Sequence, residues 1–299
     1  MVFSISDLEQ LSGISTHTIR IWERRYHALE PERSAGNTRF YNDSQLRRLL
    51  NIVSLVNAGV KISKACSLEE TEIDIFLKNE MDKTVSKNLH FENYINQLVK
   101  YGFEYNEVQI NKLLTDSIHN YGMTETYKNV IYPLLIRLGL MWRRDVFCPS
   151  QEHFLTSLIR QKLFAVIDSL PNNSNAKQSW LLFLPEDEDH DIGLLFANYL
   201  LRLNGHQVIY LGPKVPITSL DHALLKNPIS NALLFFIKSR SFPETKKYLN
   251  DLSAIFKTTK IHLAGNVKFI EQLELNQNIN WFKTLNEFEQ TINTTKNAN

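Results

Sequence analysis

Residues 186–191 read Glu-Asp-Glu-Asp-His-Asp, one imidazole among five carboxylates. A neutral imidazole on a loop is a suitable metal donor. A neighbouring carboxylate that accepts the proton of its other ring nitrogen fixes the tautomer and raises the ring's basicity. His190 has Glu188 and Asp189 for that task, and Gly193, with no side chain, would let a ligand pass close to the backbone. The plainer use of His190 is to relieve an acidic loop. A second group lies upstream, where Trp142 precedes Glu152 and His153; alone, the tryptophan is ordinary core and the histidine an ordinary helix surface residue. The third is basic and aromatic: Arg20, Trp22, Arg24, Arg25 and Tyr26, then Arg33, Asn37, Arg39, Phe40 and Tyr41. The first 67 residues carry nine Lys/Arg against six Asp/Glu, and the rest 24 against 26. Such a split suits a nucleic-acid arm on a sensor body.

The elements that must position these groups are legible from turns and periodicity. Ser6 with Glu9, and Asn42 with Gln45, have the spacing of capping boxes, and Ser15 can cap a helix running to Tyr26. The order is helix, tight turn, helix, then a small β-wing over 31–41 and a helix to Gly59 with Leu46, Leu49, Leu50 and Val53 on one face. A charged linker over 67–93 leads to amphipathic helices near 94–102, 106–121, 123–142 and 150–170, with Pro133 marking a kink or restart. After polar 171–179, apolar runs at 180–184, 208–211, 232–237, 261–263 and 281–282 alternate with helical stretches. That alternation predicts a doubly wound parallel sheet, with ligands beyond the strand C-termini, at loops starting near Pro185, Gly212, Lys238 and Gly265.

The 299-residue length suits two or three domains, and 43% hydrophobic with 22% charged residues is ordinary globular usage. No two of the ten glycines are closer than seven residues, so GxGxxG and P-loop phosphate cradles are excluded. Cys66 and Cys148 stand far apart outside any CxxC pair, giving no reason for a disulfide framework or thiolate zinc site. The start lacks a signal-peptide pattern, and the apolar run over 130–142 is short and broken by Arg137, so no membrane span is expected and a reducing cytoplasm fits best.

The segment from Phe3 to Leu49, with TIRIWERRY at 18–26, Pro31 and RSAGNTRFY at 33–41, closely resembles the DNA-binding domain of MerR-type transcription regulators over roughly residues 2–66. The resemblance implies a winged helix-turn-helix. Thr16, His17, Thr18 and Arg20 would sit at the amino end of a recognition helix that reads base edges of double-stranded operator DNA, with Arg24 and Arg25 a turn further on. Arg33, Asn37, Arg39 and Tyr41 would hold phosphates. One such module touches too little DNA for tight specific binding, which points to a symmetric homo-oligomer, dimer or tetramer. The long heptad helix by which simple family members dimerise is missing after Ala65, so assembly falls to later domains.

LGLMWRRDVFCPSQEH at 138–153, EDHDIG at 188–193 and NGHQVIYLGPKVP at 204–216 together resemble the cobalamin-binding half of light-sensing MerR-type repressors. The implied fold class is multi-domain α and α/β: winged helix-turn-helix (1–75), four-helix cobalamin cap (90–170) and flavodoxin-like cobalamin domain (178–299). The implied cofactor is cobalamin, adenosylcobalamin by preference, with His190 the lower axial ligand of cobalt, Glu188 and Asp189 behind it, Trp142 and Glu152 on the cap side, and His153 the replacement upper ligand after photolysis. Gly193, Ser239 and Gly265 would line the tail channel. The family's Gly-Gly pair is Ala264-Gly265-Asn266 here. That departure leaves an alternative, a regulator whose cobalamin-like domain has lost the cofactor and serves as a dimerisation or partner platform. A cobalamin enzyme would need a substrate-activating barrel of ~250 residues, for which the chain has no room, so a non-enzymatic regulator is expected.

Overall fold

The computed structural model describes residues 2–12, 14–33, 37–57, 60–69, 72, 87–142, 148–171, 178–226, 228–238 and 242–294. Packing divides the chain into two compact units, residues 1–159 and 160–299.

The first unit opens with β1 (Val2–Phe3), α1 (Ile5–Ser12), α2 (Thr16–Tyr26), β2 (Glu32–Arg33), β3 (Arg39–Asn42), α3 (Asp43–Asn57) and α4 (Ile62–Ser67). The strands form a small sheet in the order β1-β3-β2, with Phe3 opposite Tyr41 and Arg33 opposite Arg39. Caps set the boundaries. The Ser15 hydroxyl accepts from the Thr18 N–H at 3.2 Å, and Asn42 and Gln45 exchange both bonds of a capping box at 3.0 and 3.1 Å. The first helix corrects the expected Ser6/Glu9 box: the reciprocal pair is Ser4 with Asp7, two residues earlier, at 2.7 and 3.2 Å. Leu8, Leu11, Ile19, Trp22, Leu46, Leu49, Leu50 and Val53 form the core.

The longer helices follow: α5 (Lys87–Phe103), α6 (Glu107–Thr126), α7 (Tyr132–Trp142) and α8 (Pro149–Asp168), the division between the units falling inside α8. Helix α5 starts seven residues ahead of the expected 94, because its polar residues are buried rather than linking: His90, Asn93, Asn96, Gln97 and Lys100 all lie inside. Arg137 explains part of that. Its guanidinium donates to Asn96 Oδ1 at 2.9 Å and Glu92 Oε1 at 2.7 Å, cross-linking α7 to α5, so the charge that interrupts an apolar run is a bundle tie. Gly122, at φ 76°, breaks α6, and a π-turn over Tyr127–Ile131 runs straight into α7, so Pro133, with no N–H to give the preceding turn, lies where the winding changes. Helix α3 packs on α5, with Phe3 edge-on to Phe103 at 6.1 Å.

The second unit has β4 (Ser179–Pro185), α9 (Ile192–Leu203), β5 (Gln207–Val215), α10 (Leu220–Lys226), β6 (Asn231–Phe236), α11 (Phe242–Ile255), β7 (Lys260–Gly265), α12 (Val267–Ile270), β8 (Ile279–Trp281) and α13 (Leu285–Thr294). The order β5-β4-β6-β7-β8, all parallel, is the flavodoxin-like winding expected from the sequence. Trp180 to Leu184 are at most 1% exposed, as a central strand covered on both faces requires. Cys66 and Cys148 are free thiols. No described helix is long and apolar enough to cross a membrane.

One buried histidine gives this unit a measurable pH response. His262 stacks on Trp180 and Phe282 at 5.1 and 4.9 Å, and its Nε2–H donates to Asn231 Oδ1 at 3.0 Å. Burial first, then Lys260, brings its pKa from 6.5 down to about 4. The unfolded chain therefore takes the proton first as pH falls below the unfolded value, and stability present at neutral pH is lost through that window, up to roughly 3 kcal/mol. Urea unfolding of the α/β unit should weaken between about pH 6.5 and pH 4, and His262→Phe should remove that part of the slope.

Candidate functional site

The loop after β4 lies where the strand order reverses, between β4 and β6. Its centre is Glu188, whose side chain is fully buried. Glu188 Oε1 accepts from the Asp189 N–H at 3.1 Å, the His190 N–H at 3.2 Å and His190 Nδ1 at 2.7 Å. Oε2 accepts from the N–H groups of Ile237 and Lys238, at 3.0 and 2.9 Å, in the loop after β6. Burial pushes this carboxyl's pKa up, but the bonds from His190, Lys238 and Ile237 outweigh it and hold the pKa at about 2. An ionised carboxylate only accepts, so Nδ1 of His190 carries the hydrogen and Nε2 is the nitrogen left for another partner. The imidazole's pKa is raised, first by its bond to Glu188, and its side chain is 49% exposed.

Asp189 is held by Lys238 Nζ at 2.7 Å and faces Lys214 Nζ at 3.7 Å; the bond from Lys238 is the first cause of its lowered pKa. Lys214 adopts a left-handed φ of 58° in the irregular end of β5, and its N–H reaches the Glu188 carbonyl at 3.2 Å. Arg160 donates to Asp191 at 2.5 Å, just ahead of α9. The sequence reading puts a ligand loop near Lys238 and counts Asp191 in the acidic run without giving either a role, and it misses Lys214 and Arg160. The ligand atoms of Glu188, Asp189 and His190 lie within 4.8 Å of one another. With five donors already on Glu188, His190 is the member of this trio best placed to donate to a metal.

The expected tail-channel glycines have structural reasons of their own. A Cβ on Gly193 would stand 3.0 Å from the Phe235 ring. Gly265, at φ 126°, would bring a Cβ within 2.2 Å of the Phe236 carbonyl oxygen, and the Asn266 N–H bonds that same oxygen at 2.7 Å. Ser239 and the Trp142 side chain lie outside the described residues. In the other unit, His153 is 73% exposed beside Glu152, at 3.6 Å.

The second site is the outer face of α2 and the wing. Ile19, Trp22 and Glu23 point inward, while His17, Arg20, Arg24 and Arg25 are exposed. Thr16 is half-buried, and the Thr18 hydroxyl lies 2.9 Å from that of the capping Ser15. Arg33 donates to Asn37 at 2.5 Å and stands directly opposite Arg39, an arrangement of like charges that disfavours the hairpin unless an anion lies between them. Tyr41 corrects an expectation. It is 0% exposed and its hydroxyl donates to Glu23 Oε1 at 2.5 Å, so it braces the wing from within and cannot hold a phosphate. The alternation of β3 explains this: residues 39 and 41 share a face, and that face turns toward α2.

Glu188→Ala would leave five donors unmet. It should destabilise the α/β unit by about 3 kcal/mol or more in urea unfolding. Gly265→Ala should cost a comparable amount, since the new methyl meets backbone at a left-handed position.

Residues 3–69 match the family described as MerR HTH family regulatory protein. The chain is 27% identical over 225 residues to the HTH-type transcriptional repressor CarH of Myxococcus xanthus, covering 75% of each protein. It is 28% identical over 253 residues to the repressor CarA of the same organism, covering 84% of this chain and 82% of CarA. Among solved structures, the monomethylamine corrinoid protein of Methanosarcina barkeri superposes with a TM-score of 0.55 at 15% identity, over 68% of this chain and 98% of that one, a likeness of fold. A helix-turn-helix match at the sites of the exposed arginines, with similarity over three quarters or more of the chain, makes this chain a carrier of a MerR-type DNA-binding domain and a relative of the CarH and CarA repressors.

Proposed function

We propose that this chain is a DNA-binding transcription regulator, not an enzyme, whose assembly and operator affinity are set by cobalamin. The observation that carries the reading is His190: a half-exposed imidazole at the sheet's switch point, its Nδ1 tied to a buried carboxylate and its Nε2 left over. That donor set fits cobalt, which needs a neutral axial nitrogen of fixed tautomer. His190 would supply a nitrogen ligand to the cobalt, with Glu188 orienting the ring and Asp189, Lys214 and Lys238 ordering the loop. Gly193, Ser239 and Gly265 are assigned to the tail side, Trp142, Glu152 and His153 to the cap side. In its adenosyl form the cofactor supplies a cobalt–carbon bond that light breaks. His153, exposed on its helix, is the second imidazole of the reading and would offer the cofactor a further nitrogen donor. What the chain itself must do is favour one assembly with the intact cofactor and another without it, because equal affinity for both shifts nothing.

On the DNA side, His17, Arg20, Arg24 and Arg25 are assigned to the groove and flanking phosphates, and Arg33, Asn37 and Arg39 to the backbone. A dimer or tetramer on paired half-sites, acting in the cytoplasm, completes the proposal. One specific observation favours a rival: both tail-side glycines are accounted for by packing against Phe235 and the Phe236 carbonyl. The rival is a regulator that kept the fold without the cofactor.

A spectrum separates them. Protein mixed with adenosylcobalamin in darkness and desalted should retain corrin absorbance, and illumination should change both spectrum and sedimentation size. His190→Ala should lose most of the retained absorbance on desalting. Colourless wild-type protein would sink the cofactor reading, and unchanged size under light the switch.

A further inference from the structure

Glu23 is the one buried acid on the recognition helix, 7% exposed, and its carboxylate faces the wing. Oε1 takes the Tyr41 hydroxyl at 2.5 Å, and Oε2 lies 3.5 Å from Arg39 Nε. Both partners come from one face of β3, sixteen and eighteen positions further along the chain. The Nε edge of Arg39 is buried and held to Oε2 by charge without a hydrogen bond, while the side chain as a whole remains 31% exposed, so the fork keeps terminal nitrogens to offer. Opposite it in register stands Arg33, held by Asn37. Two facing arginines, each tied at one edge, form a prearranged pair, and the tie on Arg39 is to the helix whose exposed side carries His17, Arg20 and Arg24.

From this geometry we infer that Glu23 is a positioning residue for DNA binding: it locks the wing arginine Arg39 to the recognition helix, so that helix and wing meet the duplex as one rigid surface. A buried carboxylate on a DNA-binding helix would otherwise only oppose binding through its charge. Its benefit is entropic, since an arginine already held need not be ordered on contact. The inference rests on the DNA-binding reading and deepens it.

The test is a double-mutant cycle on the full chain, with a short random-sequence DNA duplex as probe and affinity read by fluorescence anisotropy at fixed salt. Wild-type protein that does not bind the duplex at all overturns the DNA reading and this inference together. With binding established, Glu23→Gln keeps an acceptor for Tyr41 but loses the charge that holds Arg39, and should weaken binding about fivefold, within the range of coupling between contacting charges. In the Arg39→Ala background the same change should have no effect or tighten binding slightly. Equal losses in both backgrounds mean a merely structural role, and tighter binding by the single variant means Glu23 only repels; either overturns the inference while leaving the DNA reading intact. Should Glu23→Gln fail to fold, Arg39→Lys carries the test, because lysine keeps the charge but cannot engage Glu23 with one edge and offer a fork with the other. Its affinity should fall toward that of Arg39→Ala, and wild-type affinity would overturn the inference.

Discussion

A single carboxylate organises the C-terminal unit. Glu188 is removed from water and collects five donors, two of them from a loop nearly fifty residues away. Desolvation alone would make such a charge prohibitive, and single hydrogen bonds are worth little net. A full set changes the balance, because five partly buried bonds share the one ionised carboxylate and both of its oxygens are met. The result joins the loops after β4 and β6 at the point where the sheet reverses direction. His190 inherits its orientation from that junction, and so does Asp189 through Lys238. Any ligand chemistry at this end of the sheet depends on the carboxylate staying ionised and inside.

The N-terminal unit repeats the device on a smaller scale. Glu23 also lies inside; it accepts from the strand-borne hydroxyl of Tyr41 and stands 3.5 Å from Arg39 Nε. In both places an acid that looks wrong on charge grounds is the means by which two segments hold one geometry. Arg137, which breaks an apolar helix and bonds Asn96 and Glu92, is the basic counterpart in the bundle. Such buried polar contacts specify an arrangement more sharply than they stabilise it.

The glycines qualify the ligand argument. Gly193 and Gly265 occupy the positions that the cobalamin resemblance assigns to a tail channel, yet their lack of a side chain is already required by Phe235 and by the Phe236 carbonyl. Residue type at these positions therefore does not discriminate between a chain that binds the cofactor and one that has kept only its frame. His190, half-exposed with one nitrogen committed, is the feature that points outward.

What the amino-acid order determined by itself is everything settled by near neighbours: the Asn42/Gln45 and Ser15 caps, the alternation of apolar runs with helices that gives a parallel sheet, and the acidic loop with its imidazole. Hydrogen bonds over three residues and periodicities of two and 3.6 need no knowledge of the rest of the chain. Only the tertiary structure decided that Glu188 is met by the backbone of Ile237 and Lys238, that Tyr41 turns inward to Glu23, and that Gly265 is pinned against a neighbouring strand. Those contacts follow from strand order and register, and a shift of one residue in the pairing of β3 would send the Tyr41 side chain to the opposite face.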